Sequence, residues 1–144
     1  KDDNILDLYC GIGAIGIVLS DYVNHVLGVE ILAEAVDFAR QNIELNDIHN
    51  VDIINKDLSE TIIFEDNIDC IVVDPPRGGL SKNIIDNINK SAVDRLVYVS
   101  CNPVSQKRDI DLLATSGFKV IKHEAVDMFI NTEHVETVAL LQRV

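Results

Sequence analysis

The chain has 144 residues, 12 basic against 24 acidic, and a net charge of −12, which excludes a simple basic coat for nucleic acid. Hydrophobic residues make up 47% and charged residues 25%, the mix of a globular domain and not of a disordered segment. With no apolar run long enough to cross a bilayer and no signal-peptide pattern, the expected setting is the cytoplasm, with no membrane contact.

The length fits one domain spanning residues 1–144, with a core built mainly from Ile, Val and Leu because Trp is absent. Lys1 is not a natural start and an apolar strand begins beside it, so the sequence reads as a fragment of a longer protein. The first predicted strand is Ile5–Tyr9, followed by a glycine turn and a helix over Ala14–Asp21. A second strand, His25–Glu30, leads into a helix whose apolar stripe is Leu32, Ala35, Val36, Ala39 and Ile43, ended by Asn46. Val51–Asn55 and Ile68–Asp74 read as further buried strands, then come a helix at Lys82–Ile88 and a strand at Arg95–Cys101. A helix at Ser105–Ser116 is closed by Gly117. The last strands, Lys119–Val126 and Thr137–Arg143, have no helix between them and form an antiparallel pair joined by a loop at 128–136. Alternating elements of this kind predict an α/β fold with a doubly wound seven-stranded sheet whose last strand is antiparallel.

Charge is uneven along the chain. Residues 1–69 hold 15 acids and 3 bases, whereas residues 77–108 hold 6 bases and 2 acids. The second stretch could face phosphates, or its charges could simply be scattered and solvated.

In open α/β sheets, ligands bind beyond the carboxyl ends of the strands. Four predicted strands end in chemically capable residues at that edge. After the first, Gly11, Gly13 and Gly16 form the turn that lets backbone approach a ligand before a helix begins. Glu30, ending the second strand, suits the two ribose hydroxyls of an adenosyl group, in a dinucleotide or in S-adenosyl-L-methionine alike. Asp7, just before the turn, suits the ammonium of a methionine moiety and tilts the choice towards the second cofactor. Asp57, placed at the end of the third strand, has two readings: a contact to the adenine edge, or the N-cap of a helix starting near Leu58. Asp74-Pro75-Pro76 stops the fourth strand and holds a carboxylate rigidly at the edge. In Ser100-Cys101-Asn102-Pro103 the cysteine lies between a strand and a helix N-terminus, the setting that favours a thiolate nucleophile. Cys70, in mid-strand, reads as structural; the three cysteines lack metal-ligand spacing, so no metal is expected.

Asp7-Leu8-Tyr9-Cys10-Gly11-Ile12-Gly13, Asp74-Pro75-Pro76-Arg77, Ser100-Cys101-Asn102-Pro103 and His134-Val135-Glu136 together resemble, in order and spacing, the RNA (uracil-5-)-methyltransferases that act on tRNA or 23S rRNA. The resemblance covers nearly the whole chain. It implies a Rossmann-like class I S-adenosyl-L-methionine-dependent methyltransferase fold, and methylation of a uridine at carbon 5. It also implies Cys101 as the nucleophile at C6, Glu136 as the general base, and Tyr9, Glu30 and Asp74 as cofactor-binding positions beside Asp7, Gly11 and Asp57. The segment before the base usually reads Phe-Pro-x-Thr in that family, but is Phe129-Ile130-Asn131-Thr132 here. The family's RNA-binding portion and a cofactor-binding glutamine lie upstream of the first strand, so most RNA contacts are expected outside this chain. Two other readings remain: a methyltransferase acting on a nucleobase amine or small molecule, and a non-catalytic nucleotide- or protein-binding module. The amine-directed enzymes often carry an aromatic residue where Arg77 stands, and need no cysteine.

Overall fold

The computed structural model describes residues 1–58, 67–128, 130–132 and 134–144. Its elements alternate as β1 (Asn4–Leu8), α1 (Ala14–Leu19), β2 (His25–Glu30), α2 (Ala33–Leu45), β3 (Val51–Asn55), β4 (Cys70–Val73), α3 (Lys82–Lys90), β5 (Arg95–Ser100), α4 (Pro103–Leu113), a short 3-10 turn (Ala114–Ser116), β6 (Phe118–Val126) and β7 (Glu136–Arg143). One seven-stranded sheet has the order β3-β2-β1-β4-β5-β7-β6. Strands β1 to β5 are mutually parallel, and β7 runs antiparallel to both β5 and β6. The expected doubly wound fold with an antiparallel last strand is what forms. β1 pairs with β2 on one side and β4 on the other, which puts the switch point, and so the ligand crevice, at the end of β1.

Core residues divide between the two faces of the sheet. Leu6, Leu8, Ile71, Val73, Leu96, Tyr98, Ala139 and Leu141 pack with Ile84, Ile85 and Ile88 of α3 and Leu113 of α4. Ile5, Val26, Val51, Ile53, Cys70 and Val72 pack with Val36 and Ala39 of α2. Gly16 lets α1 sit tightly on the sheet, because a Cβ there would lie 3.2 Å from Val26 Cγ1.

Several boundaries differ from expectation for local reasons. β1 stops at Leu8 because Tyr9 already turns with a φ of 65°. β4 starts only at Cys70 and ends at Val73, the end set by Pro75 and Pro76, which can donate nothing to a ladder. α4 starts earlier than expected, at Pro103, because the Asn102 side chain accepts from Val104 N–H as an N-cap and proline suits the first helical turn. Leu32 does not join the α2 stripe; it is the N-cap residue and 64% exposed. β3 ends at Asn55, so Asp57 lies in the segment beyond it. The helix expected near Leu58 would fall on residues 59–66, outside the described residues, as do Phe129 and Glu133 of the β6–β7 loop.

Candidate active site

The carboxyl edge of the parallel strands gathers the chemically capable residues. β1 leads into a turn in which Tyr9, Gly11 and Gly13 all have positive φ, at 65°, 54° and 81°. Tyr9 and Cys10 both donate their N–H to the Val29 carbonyl, at 3.0 and 3.2 Å, which ties the turn to β2. A Cβ on Gly11 would meet nothing within 4 Å. Glycine is therefore needed there for its backbone angle, and the space above it is open for a ligand.

Glu30 ends β2 with its carboxylate folded back onto backbone. Oε2 accepts from Gly11 N–H at 3.0 Å and Oε1 from Leu32 N–H at 2.9 Å. Each oxygen keeps a second lone pair, so the group is oriented and can still accept from a pair of hydroxyls. Beside it lies a cavity of about 210 Å³ lined by Tyr9, Glu30, Ile31, Asp57, Leu58 and Ser81. The structure thus brings Tyr9, Glu30 and Asp57 to one hollow, and adds Ile31, Leu58 and Ser81, which the sequence reading did not single out. Ile31 was the findable one, as the residue directly after the strand-ending acid.

Asp7 is 1% exposed, and neither carboxyl oxygen has a hydrogen-bond partner. Desolvation, helped by the nearby Asp74 charge, pushes its pKa up to about 7; the Gly16 N–H dipole opposes this least of the three, from a position that does not meet hydrogen-bond geometry. Such an orphan is costly in a finished interior, and it marks a position where a cationic group would be welcome. The Asp74 carboxyl is also pushed above the ordinary carboxylate range, first by partial desolvation and then by the charge of Glu136. Asp7, Asp74 and Glu136, from β1, β4 and β7, therefore sense one another in sequence.

Cys101 sits directly past β5, half-buried, with α4 starting at Pro103. The turn that carries it is held on both sides. Asn102 N–H donates to Ser100 Oγ at 3.0 Å, and Ser100 Oγ lies 3.1 Å from the Asn102 carbonyl. Asn102 Nδ2 and Ser105 Oγ both donate to the Arg77 carbonyl, at 2.9 and 3.0 Å. The loop after Asp74 is thereby fastened to the turn of Cys101. The other two cysteines are buried, and desolvation pushes Cys10 up to about 12 and Cys70 up to about 11, keeping both as thiols.

Glu136 opens β7. The antiparallel register of β5 and β7 ends with Ser100 paired to Thr137, so Cys101 and Glu136 are the residues next in the chain beyond that last pair. The basic stretch of residues 77–108 is divided. Arg77 and Lys82 stand at this edge, whereas Arg95 lies at the opposite one, held by Asp3 at 2.9 and 3.0 Å. Among the described residues no cluster could hold a metal ion, and no helix is long and apolar enough to cross a membrane.

Comparison with known proteins shows the family to which the chain belongs. The family model described as tRNA (uracil-5-)-methyltransferase matches residues 1–144. An uncharacterized RNA methyltransferase of Clostridium acetobutylicum is 43% identical over 144 residues, covering 99% of this chain and 32% of that protein. A 23S rRNA (uracil-C5)-methyltransferase of Marinomonas posidonica is 38% identical, covering 99% of this chain and 33% of its own. The crystal structure of a Pyrococcus abyssi tRNA (uracil-54, C5)-methyltransferase in complex with S-adenosyl-L-homocysteine superposes with a TM-score of 0.89. It is 34% identical and covers 98% of this chain and 34% of that one. The chain thus spans about a third of the length of these relatives.

Proposed function

Because the chain belongs to the tRNA (uracil-5-)-methyltransferase family, we propose that it forms the catalytic part of an enzyme that methylates carbon 5 of a uridine in RNA, 23S rRNA or tRNA. The observation that supports this reading is that β5 and β7 end their pairing at Ser100 and Thr137, the residues next to Cys101 and Glu136, at the ligand edge of the sheet.

The residues present fit S-adenosyl-L-methionine. Glu30 keeps acceptors for the ribose hydroxyls, the hollow between Tyr9, Ile31, Asp57 and Leu58 suits the adenine, and Asp7 lacks a partner that an ammonium would provide. Gly11 leaves room for the chain between them, and Asp74 stands next along the edge. Asp7 is sealed beneath the glycine turn, so its contact requires the turn to adjust on binding. When bound, the cofactor supplies an electrophilic methyl group on its sulfonium sulfur and departs as S-adenosyl-L-homocysteine.

Cys101 does what uracil cannot do alone. Its thiolate forms a bond to C6, and the electrons of the C5–C6 double bond move to C5, which becomes enolate-like and takes the methyl group. Glu136 then removes the remaining C5 proton, and those electrons restore the double bond as the bond from C6 to the Cys101 sulfur breaks. Most phosphate contacts come from parts of the protein outside residues 1–144, in keeping with the acidity of this portion. The three unpaired cysteines suit the reducing cytoplasm.

The test uses the full-length protein and RNA containing 5-fluorouridine, whose C5 substituent cannot leave as a proton. The expected result is a denaturation-resistant protein–RNA adduct that requires the cofactor and is absent in Cys101→Ala. Glu136→Gln should accumulate the same adduct on ordinary RNA. Sustained turnover by Cys101→Ala would overturn the mechanism and favour an amine-directed methyltransferase.

A further inference from the structure

Behind the two reacting residues lies a polar network that the mechanism above does not use. Gln106 points from α4 into the sheet and is 1% exposed. Its Nε2 donates to the Tyr98 carbonyl of β5 at 2.9 Å. That carbonyl can only accept, which fixes the orientation of the amide. Oε1 then faces Thr137 Oγ1 of β7 at 2.9 Å and His123 Nε2 of β6 at 3.2 Å. The Thr137 hydroxyl is also 3.1 Å from the Ser100 carbonyl, so its single proton is shared between two acceptors. One side chain thereby joins a helix to three strands.

The chemistry of these groups is unusual for where they sit. Their neighbours on the same face, Leu96, Tyr98, Ala139 and Leu141, are fully buried and hold this half of the sheet by apolar packing. A buried amide and hydroxyl cost free energy unless each is partnered, so for cohesion alone an apolar residue would serve better. What a partnered amide adds is direction, because its bonds form in one arrangement only. The arrangement touches the chain at two telling points: Ser100 immediately precedes Cys101, and Thr137 immediately follows Glu136.

We infer that Gln106 is a positioning residue, whose amide, acting through Thr137 and the Tyr98 and Ser100 carbonyls, sets the placement of the Glu136 carboxylate against Cys101. It touches neither cofactor nor uracil. The inference rests on the proposed roles of Cys101 and Glu136. Within that mechanism the step most sensitive to Gln106 is the last one, where the carboxylate must reach a single C5 proton. A misplacement of about 1 Å is enough to cost on the order of 100-fold in rate.

Gln106→Leu, Thr137→Val and Thr137→Ser in the full-length enzyme test it. For Gln106→Leu and Thr137→Val, kcat should fall at least about 10-fold, while KM for RNA and for cofactor stays within about two-fold. The covalent RNA adduct should build up during turnover on ordinary uridine. Thr137→Ser, which keeps the hydroxyl, should stay close to wild type. The double variant Gln106→Leu/Thr137→Val should be little worse than either single one, since both break one device. Unchanged kcat, a loss carried by KM, or no adduct build-up would each overturn the inference. Should Gln106→Leu fail to fold, Thr137→Val against Thr137→Ser decides it by the same readouts. Absence of a 5-fluorouridine adduct in the wild type would instead overturn the methylation mechanism itself.

Discussion

At the scale of single residues, Asp7 carries an energetic defect that fits the ammonium site proposed for it. Unfolded, it titrates near 3.8; folded, near 7. Between those values the folded protein holds a proton that the unfolded chain has released, so its stability falls as pH rises from about 4 to 7. Asp7→Asn removes that loss. The variant should melt above the parent at pH 8 and close to it at pH 4, as thermal unfolding at the two pH values will show. Binding has the opposite sign, because an ammonium pairs with the ionised form. Affinity for S-adenosyl-L-homocysteine should rise on the order of 10-fold between pH 5.5 and 7.5 in the parent and stay flat in Asp7→Asn, by calorimetry. The sequence made Asp7 a candidate through its place before the glycine turn. It could not show that the carboxyl would be sealed and unpartnered. Gln106 was not legible at all: a glutamine in a helix with acids and bases around it reads as solvent-facing, and only the packing of α4 on β5 and β7 turns it inward.

Among the elements, α4 does more than cover the sheet. Asp109, fully buried, accepts from Leu80 N–H and from Tyr98 Oη, both at 2.7 Å, and is met by Arg108 Nη2 at 2.6 Å. Arg108 Nη2 in turn donates to the Gly78 carbonyl at 2.8 Å. Together with Asn102 and Ser105, these bonds strap the loop that follows Asp74 onto the helix beginning just after Cys101. Asp109→Ala strands a buried hydroxyl and an N–H, and should cost about 3–5 kcal/mol, seen as a lower urea midpoint with an unchanged slope. Tyr98→Phe, which leaves the carboxyl its other partners, should cost about 1–2 kcal/mol. Most elements were legible because their β-branched runs and the α2 stripe carry the right periods. Their order in the sheet was only partly so. The missing helix between β6 and β7 foretold their pairing, yet nothing in the pattern said that β7 would enter between β5 and β6. That insertion is what brings the start of β7, with Glu136, to the edge where β5 ends and Cys101 follows.

Over the whole molecule, the charge of −12 and the chemistry proposed for it pull in opposite directions. Residues 1–69, with 15 acids and 3 bases, would repel a phosphate backbone, and Arg95 and Lys90 lie at the edge away from the site. Residues 1–144 alone should therefore bind substrate RNA no better than nonspecific affinities of roughly 10⁻⁴ M at physiological salt. The full-length protein should bind far more tightly, as fluorescence anisotropy on both would report. Tight, specific binding by the 144-residue piece would show that its acidic surface is no barrier.

The antiparallel return of β7 separates two jobs that enzymes often entrust to one loop. The proposed nucleophile and base flank the last pair of a ladder of backbone bonds, Ser100 with Thr137, and do not depend on the segment that links β6 to β7. That segment is thus free to change its composition, as Ile130 standing where the resembled family usually has proline illustrates. Exchanging it for the corresponding segment of a relative should leave the proposed reaction intact, as turnover by the full-length chimera will show.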